Sequence, residues 1–382
     1  MFRIRFLTAG ESHGPELVTV LENLPAGLPL AVSDIEPDLA RRRGVGPSGL
    51  PYAGASARMA VEQDRPEIIA GVMAGITTGA PVAVRMANLD HANWKGRAVA
   101  PTTVPRPGHA DLAAALKFGY EDLRFGSERA SARETAARVA AGSICRRLLA
   151  EFGISVTSAV TAIGAASNED SDRNSGARSV SEAGRFHAEI RSAAREGETL
   201  GGVFEVIARG IPPGLGTHQH WDRRLSGRLG GALMSIPGIK GAEIGEAFEN
   251  ARRRGSQVHD AIGPGLARAT NNAGGLEGGI TNGQALVVRA AMKPMATTRA
   301  TMPSLDLATG EVAAARYERS DVCAVPRAAV VGEAMVCLVL ADALLEKLGG
   351  DSIAEMRPRF EALRRVRLED VPVTGREWRF WE

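Results

Sequence analysis

Residues 2–8 alternate apolar and polar positions and stop at Gly10. This is the two-residue period of a strand running into a turn, and the turn carries Glu11, Ser12 and His13. From Asp34 the run DIEPDLARRR changes to helical spacing and closes into GVGPSGLPYAGAS, a glycine- and proline-containing stretch of the length that often serves as a binding loop. Residues 66–88 read as strand pairs broken by glycines. Residues 89–108 form a polar loop ending in RPGH, and a helix starts near Ala110. The tetrapeptide SARE at 131–134 matches a capping box, in which Ser131 accepts from a first-turn N–H and Glu134 reaches back. An apolar helix follows to about Ala150.

The second half changes character. Residues 153–163 are β-rich, 165–183 form a polar surface stretch, and 185–209 read as two further alternating runs. Helical spacing returns over 221–235 and ends at Pro237-Gly238. The glycine-dense NNAGGLEGGITNGQ at 271–284 then leads into the alternating strand ALVVRAAM. Pro326 stands where a first helical turn tolerates proline, and a long apolar helix runs from it to Gly349 and Gly350. This order is not a βαβ alternation. It predicts an α+β fold with antiparallel pairs, without internal repeats or heptads.

Composition narrows the function. With 46 basic against 44 acidic residues the net charge is +2 in a chain of 382, so no broad charge argues for nucleic acid or membrane as a partner. Only five of the basic residues are lysines (Lys95, Lys117, Lys240, Lys293 and Lys347), which leaves 41 arginines, the side chain best shaped for bidentate contact with carboxylate or phosphate. Cys145, Cys323 and Cys337 lack the spacing of a zinc site or redox pair, which points to a reducing compartment without a structural metal. No leader-like segment and no window near the length of a membrane span stand out, so a soluble, cytoplasmic protein is expected.

Several residues could carry chemistry. His13 lies in the Gly10–Gly14 turn, and His109 follows Arg106-Pro107-Gly108 at a helix start, where the dipole favours a neighbouring anion. Arg129 and Arg133 flank the Ser131 cap, which is either an anion site at a helix N-terminus or an ordinary capped helix. GGLEGG is no dinucleotide fingerprint, because it precedes a strand and does not open a helix. Lys293 ends that strand. Arg319, Asp321 and Arg327 surround the start of the last long helix, either as an ion pair or around a base. His218 and His220 have a metal-like spacing with no third ligand pattern.

These segments, in their order, resemble the chorismate synthase family over nearly the whole chain. They are GESHG at 10–14, DLARRR at 38–43, RPGHADLAAALKFG at 106–119, RASARETAARVAAG at 129–142, GGVFEVIARGIPPGLG at 201–216, GIKGAEIGEAF at 238–248, NNAGGLEGGITNGQ at 271–284, KPMATT at 293–298 and VPRAAVVGEAMVCLVLAD at 325–342. The resemblance implies a single domain over 1–382, a sandwich in which helices pack between antiparallel sheets, and a homotetramer. It also implies conversion of 5-enolpyruvylshikimate 3-phosphate to chorismate and phosphate, an anti-1,4-elimination that needs reduced FMN. NADPH or a separate flavin reductase would supply the reduction. His13 matches the proton donor to the leaving phosphate, His109 the histidine that protonates or stabilises the reduced flavin, and Asp321 the aspartate that works with the flavin in removing the C6 proton. Arg129, Ala130, Ser131, Gly238, Gly278, Lys293, Pro294, Met295, Ala296, Thr297 and Arg319 match flavin contacts. Ser12, Arg41, Arg42, Arg43, Arg106 and Arg133 match or adjoin substrate contacts.

The chain departs from the family pattern in having no arginine between Gly44 and Arg58, and in Ala130, Ser320 and Val322. A flavin-binding homologue without catalysis is the alternative that these departures raise. A nicotinamide-dependent oxidoreductase is disfavoured by the missing strand–glycine loop–helix unit, and a nucleic-acid binder by the interspersed acids and few aromatics.

Overall fold

The computed structural model describes residues 4–44, 63–167, 180–300, 302–317, 321–378 and 380. Two antiparallel sheets enclose a pair of helices. The first sheet has strands β1 (Arg5–Ala9), β2 (Glu16–Glu22), β3 (Pro66–Ala70) and β4 (Val82–Ala87) in the order β1-β2-β4-β3. The second has β5 (Ser155–Ile163), β6 (Ala166–Ser167), β7 (Gly202–Arg209), β8 (Ile239–Ile244) and β9 (Leu286–Met292) in the order β8-β9-β7-β5-β6. Alternation decides which face of each is covered. Leu17, Thr19 and Leu21 of β2 and Val82, Val84 and Met86 of β4 are buried on one sheet, and Phe204, Val206, Leu286 and Val288 on the other.

Helices α1 (Glu36–Arg42), α2 (Asp111–Phe118) and α3 (Arg124–Ala130) precede α4 (Thr135–Ala150), which lies on the first sheet. After α5 (Val180–Glu196) and α6 (Leu225–Met234), α7 (Val325–Leu348) covers the second sheet and packs along α4. Nearly all of the buried apolar residues join in one cluster running from Ile4 to Met356. The expected arrangement of helices between antiparallel sheets is therefore what the chain forms.

Three expectations need correction. Residues 185–196 belong to helix α5, because Phe186 and Ile190 meet the core and Ala193 is buried at the same helical spacing, whereas only the second run forms a strand. Half of the capping box is present: Ser131 Oγ accepts from the Arg133 N–H at 3.3 Å, but Glu134 turns to Arg138 at 2.8 Å. Finally, α7 is long and apolar enough to cross a membrane, contrary to the reading of the sequence, and 94% of that window is buried inside the protein. A helix apolar all round that sits between two sheets is a core helix.

The α4–α7 crossing depends on Gly142. A Cβ there would lie 2.3 Å from Ala334 Cβ and 2.4 Å from its Cα. Because neither neighbour can rotate away, Gly142→Ala is expected to force the helices apart and cost about 1–3 kcal/mol despite alanine's better helix propensity. Urea unfolding at fixed protein concentration would show a lower midpoint with an unchanged slope, and a midpoint at or above wild type would refute the close crossing.

Candidate active site

The turn after β1 is built by its own backbone. Gly10 has φ of 114°, and a Cβ on it would strike the Glu16 carbonyl oxygen at 2.4 Å, so only glycine fits. Asn88 Nδ2 donates to the carbonyls of Ser12 (2.9 Å) and Gly14 (2.8 Å), and Ser12 N–H donates to the Glu128 carbonyl. Glu128 of α3 then holds His13 twice. One oxygen accepts from the His13 backbone N–H at 2.8 Å, and the other lies 2.6 Å from Nδ1. Trp94 packs on the imidazole with centroids 4.2 Å apart, and Nε2 is 3.6 Å from Asp90.

This turn forms one wall of a cleft of about 570 Å³. His109, at the mouth of α2, and Asp321, just before α7, line the same cleft, as do Ser12, Arg42, Arg106, Ser131, Arg133, Met295, Ala296 and Thr297. Seven arginines face it (Arg42, Arg97, Arg106, Arg124, Arg133, Arg316 and Arg327) against the acids Asp90, Glu128 and Asp321. The lining thus carries more cations than acids. Buried carboxylates fix several of these cations. Asp64 pairs with both Arg42 (3.2 Å) and Arg133, and Arg42 also donates to the hydroxyl of Thr135 and the carbonyl of Ala132. Asp321 accepts from Arg327 through two contacts of 2.5 and 3.1 Å.

The other matched residues lie elsewhere. Arg41 grips Glu333 of α7 with both terminal nitrogens (2.6 and 2.9 Å) and also reaches Asp38, while Arg43 lines a separate recess with Glu36 and Arg65. Consecutive helical residues diverge by about 100°, so a run of three cannot face one ligand. Arg129 donates to the carbonyls of Thr8 and Gly10, which braces the His13 turn. Lys293 does not line the cleft, but its Nζ donates to the Gly108 carbonyl at 3.0 Å. Burial, then Lys240, lowers its pKa. Ala130, Pro294, Gly238 and Gly278 do not line the cleft either; the Gly238 carbonyl accepts from Lys293 N–H, and Gly278 sits beside His218. Arg319, Ser320 and the arginine-poor stretch 45–57 lie outside the described residues.

Asp90, Trp94, Arg97, Arg124, Glu128, Arg316 and Tyr317 were not singled out from the sequence. Only Trp94 carried a signal, as an aromatic in a polar loop. A glutamate or arginine on a helix or loop is too common to stand out.

The family profile for chorismate synthase matches residues 4–345. The chain belongs to the chorismate synthase family. It is 51% identical to the chorismate synthase of Moorella thermoacetica, across 94% of this chain and 98% of that one. Against the chorismate synthase of Aquifex aeolicus the identity is 48%, across 94% and 96%. A solved chorismate synthase crystal structure superposes with a TM-score of 0.75 at 42% identity, covering 94% of this chain and 97% of that one. Members of the chorismate synthase family are lyases of the shikimate pathway with a reduced-flavin requirement and a phosphorylated small-molecule substrate, and this chain is such a lyase.

The lining suits a flat ring on one side and anionic groups on the other. Met295, Ala296 and Thr297 form a low wall next to the His109 loop, and a Cβ on Gly108 would touch Lys293 and Ala296 at 3.5 and 3.8 Å. Guanidinium groups line the remainder. Among the described residues no group of three or more histidine, cysteine or acidic side chains could hold a metal ion.

Proposed function

We propose that this cleft binds 5-enolpyruvylshikimate 3-phosphate beside reduced FMN, with His13 and Asp321 acting on the substrate and His109 protonating or stabilising the reduced flavin. The observation that carries this reading is that His13, His109 and Asp321, far apart in sequence, line one arginine-rich cavity. Reduced FMN, when bound, lends electron density to an elimination whose anti geometry disfavours a concerted path and which leaves no net redox change. The chain supplies charge and proton transfer. Arg42, Arg106 and Arg133 supply positive charge to the phosphate and carboxylates of the substrate, at low entropic cost because Asp64 and Asp111 already fix their forks. His13 gives a proton to the departing phosphate from Nε2, since Nδ1 is bonded to Glu128. Asp321, held by Arg327, acts where the C6 proton leaves.

Ser131, Met295, Ala296 and Thr297 line the cleft for the flavin, and Lys293 braces the loop next to it. Arg319 is assigned to the flavin by family match alone. A homotetramer of the cytoplasm completes the reading. An exposed Trp221 beside an apolar groove of Phe6, Met335, Leu338 and Val339 suits subunit packing, and the three buried free thiols suit a reducing compartment.

The test is anaerobic incubation of the substrate with the full chain and chemically reduced FMN, following phosphate and chorismate in one sample. Stoichiometric release of both is expected. Flavin binding without either product would favour the non-catalytic flavin-binding homologue. Repeating the assay with oxidised FMN and NADPH alone separates an intrinsic reductase from reliance on a separate one.

A further inference from the structure

Behind the Arg106–His109 loop stands a carboxylate to which no family role was assigned. Asp111, the first residue of α2, is 2% exposed. Its Oδ2 accepts from the backbone N–H and the Nε of Arg106, at 3.1 and 2.8 Å. Its Oδ1 accepts from Arg106 Nη2 at 2.9 Å and lies 2.5 Å from His109 Nδ1. Burial opposes the charge, but the hydrogen bonds from His109 and Arg106 outweigh it and hold the carboxyl well below the usual carboxylate range. An ionised carboxylate can only accept, so the 2.5 Å contact requires a proton on His109 Nδ1. Arg106 Nη2 also lies 3.1 Å from that nitrogen. Two donors make no bond with each other, and their approach follows from sharing one oxygen.

We propose that Asp111 is a positioning residue that locks Arg106 and His109 into one unit and holds His109 in the Nδ1–H tautomer, leaving Nε2 as its proton-exchanging atom. The inference rests on the reading of His109 as a residue acting in the cleft. One carboxylate here serves two tasks, because the same two oxygens set the direction of a substrate-binding guanidinium and the identity of the free imidazole nitrogen. Losing it therefore affects binding and turnover together, unlike loss of Arg106 alone.

The experiment reads the tautomer directly. Magic-angle-spinning 15N spectra of the full chain labelled at histidine, assigned with His109→Gln, are expected to show His109 protonated at Nδ1, with Nε2 the bare nitrogen when the ring carries a single proton. The opposite tautomer in wild-type protein overturns the proposal without any variant at Asp111. In Asp111→Asn the amide can donate to Nδ1, so the tautomer should switch, kcat fall on the order of 100-fold and KM for the substrate rise, with partial recovery in Asp111→Glu. Wild-type kcat with an unswitched tautomer in Asp111→Asn also overturns it. The tautomer is read on enzyme without flavin or substrate, so failure to form chorismate would count against the proposed reaction and not against this pairing.

Discussion

His13→Ala and His109→Ala are each expected to lower turnover by about 10²–10⁴-fold while leaving the fold intact, because each removes a proton-transfer group from a preassembled cleft. The geometry explains why His13 can be removed cleanly. Glu128 grips the backbone N–H of residue 13 with one oxygen and the imidazole with the other, so the alanine variant keeps the first bond. The turn also retains Asn88 across the carbonyls of Ser12 and Gly14. What is lost is the ring that spans the space from Glu128 to Asp90 against Trp94. Single-turnover phosphate release with reduced FMN, set beside a thermal melt, separates chemistry from stability. Near-normal release in either variant would remove that histidine from the mechanism.

Glu333→Ala should produce the largest loss of stability, about 3–5 kcal/mol, as is typical when one partner of a buried ion pair is removed. The Glu333 side chain is fully buried on α7 and receives Arg41 of α1 and Arg146 of α4. Among the described residues, truncation would leave two guanidiniums with only Asp38 and a carbonyl to share. Burial alone would raise the carboxyl's pKa. The hydrogen bond from Arg41 and the charges of Arg146 and Arg41 overcome that and bring it down to about 2. Since the folded value lies below the unfolded one, the stabilisation is present in full above about pH 4.5 and is lost as pH falls towards about 2. The difference in unfolding free energy between wild type and Glu333→Gln should therefore be constant near neutrality and shrink over that acid range. A gap that does not change with pH would mean that the carboxylate charge contributes nothing.

Arg41 shows where local reading stops. In sequence it is one of three arginines before a glycine loop, and by family resemblance all three match or adjoin substrate contacts. In the fold only Arg42 enters the cleft, because helix geometry turns Arg41 towards α7 and Arg43 into another recess. The same limit applies to 185–196. That segment alternates well enough to suggest a strand, and its packing against the second sheet makes it a helix. Arg129 matches a flavin contact in sequence, and only the fold shows that its guanidinium also braces the turn that carries His13.

By contrast, the elements ruled by local chemistry were legible. The α2 start after RPGH, the Ser131 cap, the proline at the start of α7 and the glycine at its end all follow from backbone rules that act within a few residues. The antiparallel α+β class, the two histidines and Asp321 as candidates, and the anion preference of an arginine-rich chain were available from sequence as well. Which carboxylate stands behind which cation was not. Asp64 between Arg42 and Arg133, Glu333 beneath Arg41, and Glu128 under His13 join residues between 22 and 292 positions apart. A charge carries no mark of its partner along the chain. Its pairing, and with it the direction of each guanidinium and imidazole, arises only when burial removes water and leaves the nearest opposite charge as the sole compensation.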